Sequence, residues 1–342
     1  MEKKRIGWID VAKGIAMFLV VLGHNPLPDA WVRIVYCLNV PIFFLMSGYT
    51  FRTEKYGSLW QLIKKLAVRI LAPYVLMNLA AFLVFYWARD LMPDIAGAKQ
   101  LFLGMIYGVG DNDSLRFNIP LWFLPCICIV QCLWYLIDRY GRKTKVFWVL
   151  LSSVIGYFIF GLIQVRLPWG LDVAFTGLVF FALGNLFYKE HIEKALFQLP
   201  SLLGFVLMMA CNVGFNLMNR TASPNVDVNS MVFGNYFLFY ICASSGCIAI
   251  IYLARILEKS RILAYVGRNT LWVLGLHSLF IQLFELKLKL NVVPLQEINS
   301  LFLCVLEIAC VVVIKLCYDA ARRRIFRGKT GEDKEKELRL EK

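Results

Sequence analysis

The chain has 342 residues, 59% of them hydrophobic and only 18% charged, and apolar runs recur along its whole length. Runs of about twenty apolar residues cross a bilayer core, so composition excludes a soluble catalytic domain and predicts an all-α, polytopic integral membrane protein. The formal charge of +14 does not point to nucleic acid, because the basic residues are scattered over short loops without a stripe of base-stacking aromatics.

Ten spans are predicted, at roughly 9–25, 31–51, 68–88, 119–138, 146–163, 171–188, 199–217, 231–254, 270–286 and 300–319. The opening MEKKRIGWID before an apolar run imitates a signal peptide. No small-x-small cleavage site follows, and Asp10 and Lys13 interrupt the pattern, so it reads as a retained first span. GSLWQLIKKLAVRILAPY, before the third span, suits an amphipathic interfacial helix that Pro73 ends or kinks on entering the membrane. Residues 89–118 form the longest loop, polar and rich in Asp and Gly. Residues 1–320 read as one membrane domain. The segment 321–342 reads as a charged cytoplasmic tail, solvated or disordered.

With the N-terminus inside, most of the 37 Lys and Arg residues fall on cytoplasmic segments. These include Lys3, Lys4 and Arg5, then Lys64, Lys65 and Arg69, and the basic tail; Arg89 and Arg220 are among the few outside. Both termini are therefore predicted to be cytoplasmic. The ten cysteines all lie in apolar runs without a C-x-x-C pair. They read as small buried hydrophobes, with neither a disulfide framework nor a metal site expected.

The first span, IDVAKGIAMFLVVLGHN, carries the most informative pattern. It holds Asp10, Lys13 and His24, and ionisable groups inside a span suggest a functional site. Lys13 and His24, eleven positions apart, return to within about 20° of one helix face and lie roughly 16 Å apart along the axis. The alternative is a snorkelling lysine at one end and a capping histidine at the other.

In the second span, NVPIFFLMSGYTF, Ser47-Gly48 allows a bend or close helix packing. Lys64, Lys65 and Arg69 form a cationic cluster suited to phosphate groups, or ordinary inner-surface charge. Trp122 is either an aromatic-belt anchor or a wall of a sugar site. Asn212, Asn216 and Asn235, with Asp172 and Asp227, form a polar outer vestibule if their faces turn inward; otherwise the amides link helices. His277, mid-span, reads as a hydrogen-bonded structural group. Glu307 and Lys315 stand about 80° apart on their helix and are expected to find other partners.

The segments WIDVAKGIAMFLVVLGH, VPIFFLMSGYTF, KKLAVRILAPY, PLWFL and YVGRNTLWVLGLH, in this order over residues 8 to about 285, resemble the membrane acyltransferase-3 family. Within it they are similar to the branch of fucose 4-O-acetylase-like and exopolysaccharide O-acetyltransferases. The sharpest element is a basic residue, ten intervening positions and a histidine, here Lys13 and His24. The resemblance implies transfer of an acetyl group from cytoplasmic acetyl-CoA to a sugar hydroxyl of a cell-surface or secreted polysaccharide, or of its lipid-linked precursor, at the cell (inner or plasma) membrane. His24 would be essential for acyl transfer, and Lys13 and Arg69 would engage the acyl-CoA.

Two departures stand out. An arginine pair often seen three positions apart is incomplete, with Leu66 before Arg69 and Lys65 as the nearest substitute. Trp122-Phe123-Leu124 stands where some branches carry a glutamate after the tryptophan. The site expected is thus His24 as general base, Lys13, Lys65 and Arg69 toward the donor, and Trp122, Asn216 and Asn235 toward the acceptor. Asp10 and Ser47 would be supporting, and no metal is expected. Attack through an acetyl-histidine stays open beside direct transfer. The other classes are a transporter or flippase, for which no inverted repeat is visible, and a non-catalytic component of a polysaccharide synthesis and export complex. Expected partners are the bilayer, an acyl-CoA and the glycan acceptor, with a homo-oligomer as an option.

Overall fold

A computed structural model of the chain describes residues 7–85, 97–111, 114–163, 165–219, 226–289 and 299–340. Lys3, Lys4, Arg5, Arg89 and Arg220 of the charge pattern lie outside the described residues. So does part of the loop predicted over 89–118. The helices are α1 (Gly7–Gly23), α2 (Asp29–Asn39), α3 (Pro41–Thr50), α4 (Leu59–Leu66), α5 (Ala72–Phe85), α6 (Ala98–Tyr107), α7 (Phe123–Tyr140) and α8 (Lys145–Phe158). They continue with α9 (Leu171–Lys189), α10 (Ile192–Leu196), α11 (Ser201–Met218), α12 (Tyr236–Ile256), α13 (Arg261–Arg268), α14 (Thr270–Lys289) and α15 (Ser300–Leu340). Among the described residues there is no strand, only an antiparallel bridge between Asp227 and Val232.

Eight helical segments are long and apolar enough to cross a membrane. Every predicted span falls on a helix; α1, at 17 residues, and the apolar part of α14 over Thr270–Leu283 are the two shorter ones. The protein is an all-α, multi-pass membrane protein.

Burial sorts the helices into a ring and a centre. Between 17% and 22% of the spanning stretch is buried in Leu59–Phe85, Lys145–Ile163, Ser201–Met218 and Ser300–Arg323. Their exposed Leu, Val and Phe side chains suit lipid contact. The stretches Asp29–Thr50, Ile119–Tyr140, Pro168–Lys189 and Tyr236–Ile256 are 50% to 61% buried. α1 touches α2, α3, α12, α13, α14 and α15. Val11, Ala12, Ala16 and Val21 on it are wholly buried, as expected of a helix packed against neighbours on most of its faces.

Small residues set the closest approaches. A Cβ on Gly267 of α13 would stand 1.7 Å from the Asp10 carbonyl oxygen, and one on Gly14 of α1 would stand 2.1 Å from that of Leu263. α1 and α13 therefore touch backbone to backbone. Gly48 and Gly184 do the same for α3 and α9, each facing a carbonyl oxygen at 1.9 Å. Ser47-Gly48 thus serves close packing, and the bend in the second span lies earlier. There Pro41, without an N–H, separates α2 from α3, and the Val40 N–H donates to Asn39 Oδ1 at 2.8 Å.

Three local expectations need correction. The predicted interfacial helix is not separate: α4 runs through a π turn, Ala67–Leu71, into α5, and Pro73 sits in the first turn of α5. The wider turn just before Pro73 accommodates the missing N–H, so the helix neither ends nor restarts there. The stretch read as one long loop contains α6, whose Phe102, Leu103 and Ile106 are exposed apolar side chains. The tail is helical, since α15 continues to Leu340.

Candidate active site

One face of α1 opens onto a cavity of about 660 Å³, within the ~300–1,000 Å³ of small-molecule sites. Lys13, Met17, Val20 and His24 all line it, following the i, i+4, i+7, i+11 stripe of a helix. The break between α2 and α3 adds Asn39, Val40, Phe43 and Ser47 to the wall, and the π turn adds Arg69 and Ile70. The 3₁₀ turn Ile119–Trp122 and the start of α7 contribute Trp122, Phe123 and Ile127, and α14 contributes Thr270, Leu271 and Leu274.

The cavity differs from end to end. Lys13 stands in the wall in the first half of α1, and Ser47, Arg69, Gln131 and Thr270 add further polar groups to the wall. The middle is apolar, walled by Met17, Val20, Phe43, Ile127 and Leu274. At the end of α1 the wall turns polar again, with His24, Tyr36, Asp111, Arg166, Asp227, Asn229 and Ser230. The last three lie in the turn closed by the Asp227–Val232 bridge, where the Asn229 N–H and the Ser230 hydroxyl donate to Asp227 at 2.9 and 2.6 Å. Asn229 Nδ2 donates to the Gly110 carbonyl at 2.5 Å, tying this turn to the neighbouring loop.

His24 follows the last residue of α1 and keeps an exposed surface. Its Nδ1 lies 2.7 Å from the Val20 carbonyl oxygen. A carbonyl only accepts, so Nδ1 carries the proton and Nε2 keeps its lone pair. The Tyr36 hydroxyl donates to the Gly23 carbonyl at 2.9 Å, bracing the same turn. Asn25 is buried and donates to Glu307 of α15 at 3.1 Å, while Lys315 pairs with Asp319 at 2.6 Å. Both Glu307 and Lys315 thus find partners other than each other.

Beside His24 stands His277 of α14, wholly buried, with ring centroids 5.2 Å apart in an edge-to-face arrangement. His277 repeats the local bond of His24, its Nδ1 donating to the Val273 carbonyl at 2.8 Å. Its Nε2 is buried without a hydrogen-bond partner among the described residues. The isolated sequence signal favoured a satisfied structural histidine. Only the approach of α14 to α1 reveals the pair.

The other expected site residues divide. Lys13, Arg69, Ser47 and Trp122 line the cavity, and Trp122 is buried there instead of anchoring at an interface. Asp10 is buried beside α13, its carboxylate 3.9 Å from Arg268. Lys65 lies outside the cavity wall, its ammonium 4.7 Å from the centre of the Tyr56 ring. The π turn Ala67–Leu71 carries Arg69 and Ile70 into the cavity wall, whereas Lys65 precedes it and stays outside.

Asn216 and Asn235 also lie outside the wall. Asn216 donates to Asn212, which donates to the Cys242 carbonyl of α12 at 2.7 Å. Asn235 caps α12, accepting from the N–H groups of Phe237 and Leu238 at 3.1 Å each. These amides link and end helices, which is how buried amides in a bundle are commonly satisfied. Asp172 is wholly buried behind Arg166, which donates to it at 2.8 Å. Arg166, Asp111 and Asn229, in loops, and Tyr36, on α2, escaped the sequence reading, since nothing in their spacing ties them to the stripe on α1. All ten cysteines are free thiols.

The sequence model described as an acyltransferase domain, that of the acyltransferase-3 family, matches residues 6–319. The chain belongs to the acyltransferase-3 family. It is accordingly a membrane acyltransferase, and the matched region takes in α1, the cavity and every residue of its wall. No curated protein and no solved structure matches the chain significantly.

Proposed function

We propose that this acyltransferase moves an acetyl group from acetyl-CoA to a sugar hydroxyl of a cell-surface or secreted polysaccharide, or of its lipid-linked precursor, across the cell membrane. The observation that carries the reading is that one cavity is lined by Lys13 and His24, eleven positions apart on α1, and by the second cation Arg69. The donor's phosphates sit with the two cations, which face the cytoplasm when both termini do. Its thin arm follows the apolar middle and brings the thioester to His24. The sequence pattern of the fucose 4-O-acetylase-like and exopolysaccharide O-acetyltransferase branch supports the sugar acceptor.

The chemistry follows from the tautomer. Nε2 of His24 takes the proton of the acceptor hydroxyl as that oxygen attacks the acetyl carbonyl carbon. The tetrahedral intermediate then expels the coenzyme A sulfur, the C–S bond breaks, and the imidazolium returns its proton to the departing thiolate. Val20 holds the ring in place throughout through the Nδ1 bond.

The test uses membranes holding equal amounts of inserted protein, supplied with labelled acetyl-CoA. Removal of a general base costs about 10²–10⁴-fold in rate, so His24→Ala should abolish glycan acetylation. Lys13→Ala should chiefly raise the KM for acetyl-CoA. Undiminished acetylation by His24→Ala, or a Lys13→Ala effect on acceptor affinity alone, would overturn the assignment.

A further inference from the structure

We infer that the His24 end of the cavity selects an uncharged, hydroxyl-rich sugar unit and rejects one bearing a carboxylate or phosphate, with Asp227 taking the sugar's hydroxyls. The inference rests on the acetyl-transfer reading above and adds the chemical class of the acceptor.

Three features carry it. The first is the sign of the wall: the carboxylates Asp111 and Asp227 line this end, whereas Lys13 and Arg69 line the other. The cation that joins them, Arg166, is already engaged. It donates to the buried Asp172 at 2.8 Å and to Asn229 at 3.4 Å, so its charge is matched inside the protein. An anionic sugar entering here meets the Asp227 carboxylate at close range, in a cavity whose walls screen less than water.

The second is the preparation of Asp227. Its oxygens accept from the Asn229 N–H and the Ser230 hydroxyl, and its backbone exchanges two bonds of 2.8 Å with Val232. The carboxylate is therefore fixed before any ligand arrives. An ionised carboxylate offers about four lone-pair sites, and the two bonds leave capacity for hydroxyl donors. The third is the packing of this turn on the wall residue Trp122, which is itself buried. Gly110, which accepts from Asn229, has no Cβ that would strike Trp122 at 2.6 Å, so the loop packs directly on the indole and holds the Asp227 turn in place.

The experiment uses the full chain in lipid nanodiscs and a matched pair of probes, a methyl glucoside and the corresponding methyl glucuronide. Acetyl transfer from labelled acetyl-CoA gives kcat/KM for each, and the melting-temperature shift reports binding whether or not the sugar turns over. The glucoside should be favoured by about tenfold or more, as expected when one like-charge contact is imposed on the competitor. Asp227→Asn, which keeps an oxygen for the Asn229 N–H, should narrow that ratio and leave the KM for acetyl-CoA unchanged. Equal or reversed preference, a melting shift with both sugars or with neither, or an unchanged ratio in Asp227→Asn overturns the inference. The acetyl-transfer reading is judged separately, by acetylation of the native glycan in the His24→Ala comparison.

Discussion

At the scale of single residues, the two histidines behave alike locally and differ in access. Each donates Nδ1 to the carbonyl four positions earlier and keeps Nε2 unprotonated. His24 opens to the cavity, whereas His277 is sealed and its Nε2 lacks a partner among the described residues. Burying an unsatisfied acceptor costs about 1–3 kcal/mol. An aliphatic side chain of similar volume would avoid that cost, so the histidine is better explained by its contact with the His24 ring than by packing. In His277→Leu, the lost edge-to-face contact, worth about 0.5–1.5 kcal/mol, and the lost Nδ1 bond to Val273, worth about 0.5–1.5 kcal/mol, are offset in part or whole by the relieved acceptor. The melting temperature should therefore move by only a few degrees. The rate of acetyl transfer at saturating acetyl-CoA should fall about tenfold or more, with the KM for acetyl-CoA unchanged. An unaltered rate at an unaltered melting temperature would assign His277 to packing alone.

At the scale of elements, α13 acts as a brace on the donor end of α1. Ser260 caps α13 by accepting from the Leu263 N–H at 3.3 Å, and Gly267 and Arg268 then meet Asp10 of α1. In Gly267→Ala, the new Cβ cannot stand 1.7 Å from a carbonyl oxygen, so the helices must separate or tilt. Overpacking of this kind costs about 1–3 kcal/mol. The variant should melt several degrees lower and show a raised KM for acetyl-CoA, because Lys13 lies one turn beyond Asp10. A variant with normal melting and normal KM would show that α13 does not set the position of α1.

This brace also marks how far the sequence could be read. The spans were legible because bilayer-length apolar runs leave little choice of structure, and the Lys13–His24 stripe because helical periodicity fixes a face. What sequence periodicity cannot supply is the neighbour across each face. Asn216 and Asn235 looked like parts of a vestibule, yet they satisfy helix backbones. Lys65 and Arg69 looked like one cluster, yet only Arg69 lines the cavity, while Lys65 lies over the Tyr56 ring. His277, Arg166 and Asn229 gained their place only through tertiary approach.

At the scale of the whole molecule, the consequence is a passage with opposite ends. Helices with little burial surround a centre in which α1 carries a cation at one end of the cavity and a histidine at the other. In the proposed reaction the donor's nucleotide stays at the cationic end, and only its arm passes the apolar middle. Binding and transfer are then separable in space, which a bulky residue placed in the middle can test. Ile127 of α7 is buried in the cavity wall and takes no part in either end. Ile127→Trp should narrow the passage and lower acetyl transfer by about tenfold or more, the scale expected when reacting groups are kept from their working distance. The nucleotide end should bind as before, so 3′-phospho-ADP, which lacks the arm, should inhibit wild type and variant with the same constant once each protein's melting temperature confirms its fold. Full transfer in Ile127→Trp would mean that the arm does not cross this cavity. Equal loss of transfer and of 3′-phospho-ADP binding would mean that the nucleotide itself, and not only the arm, reaches the middle.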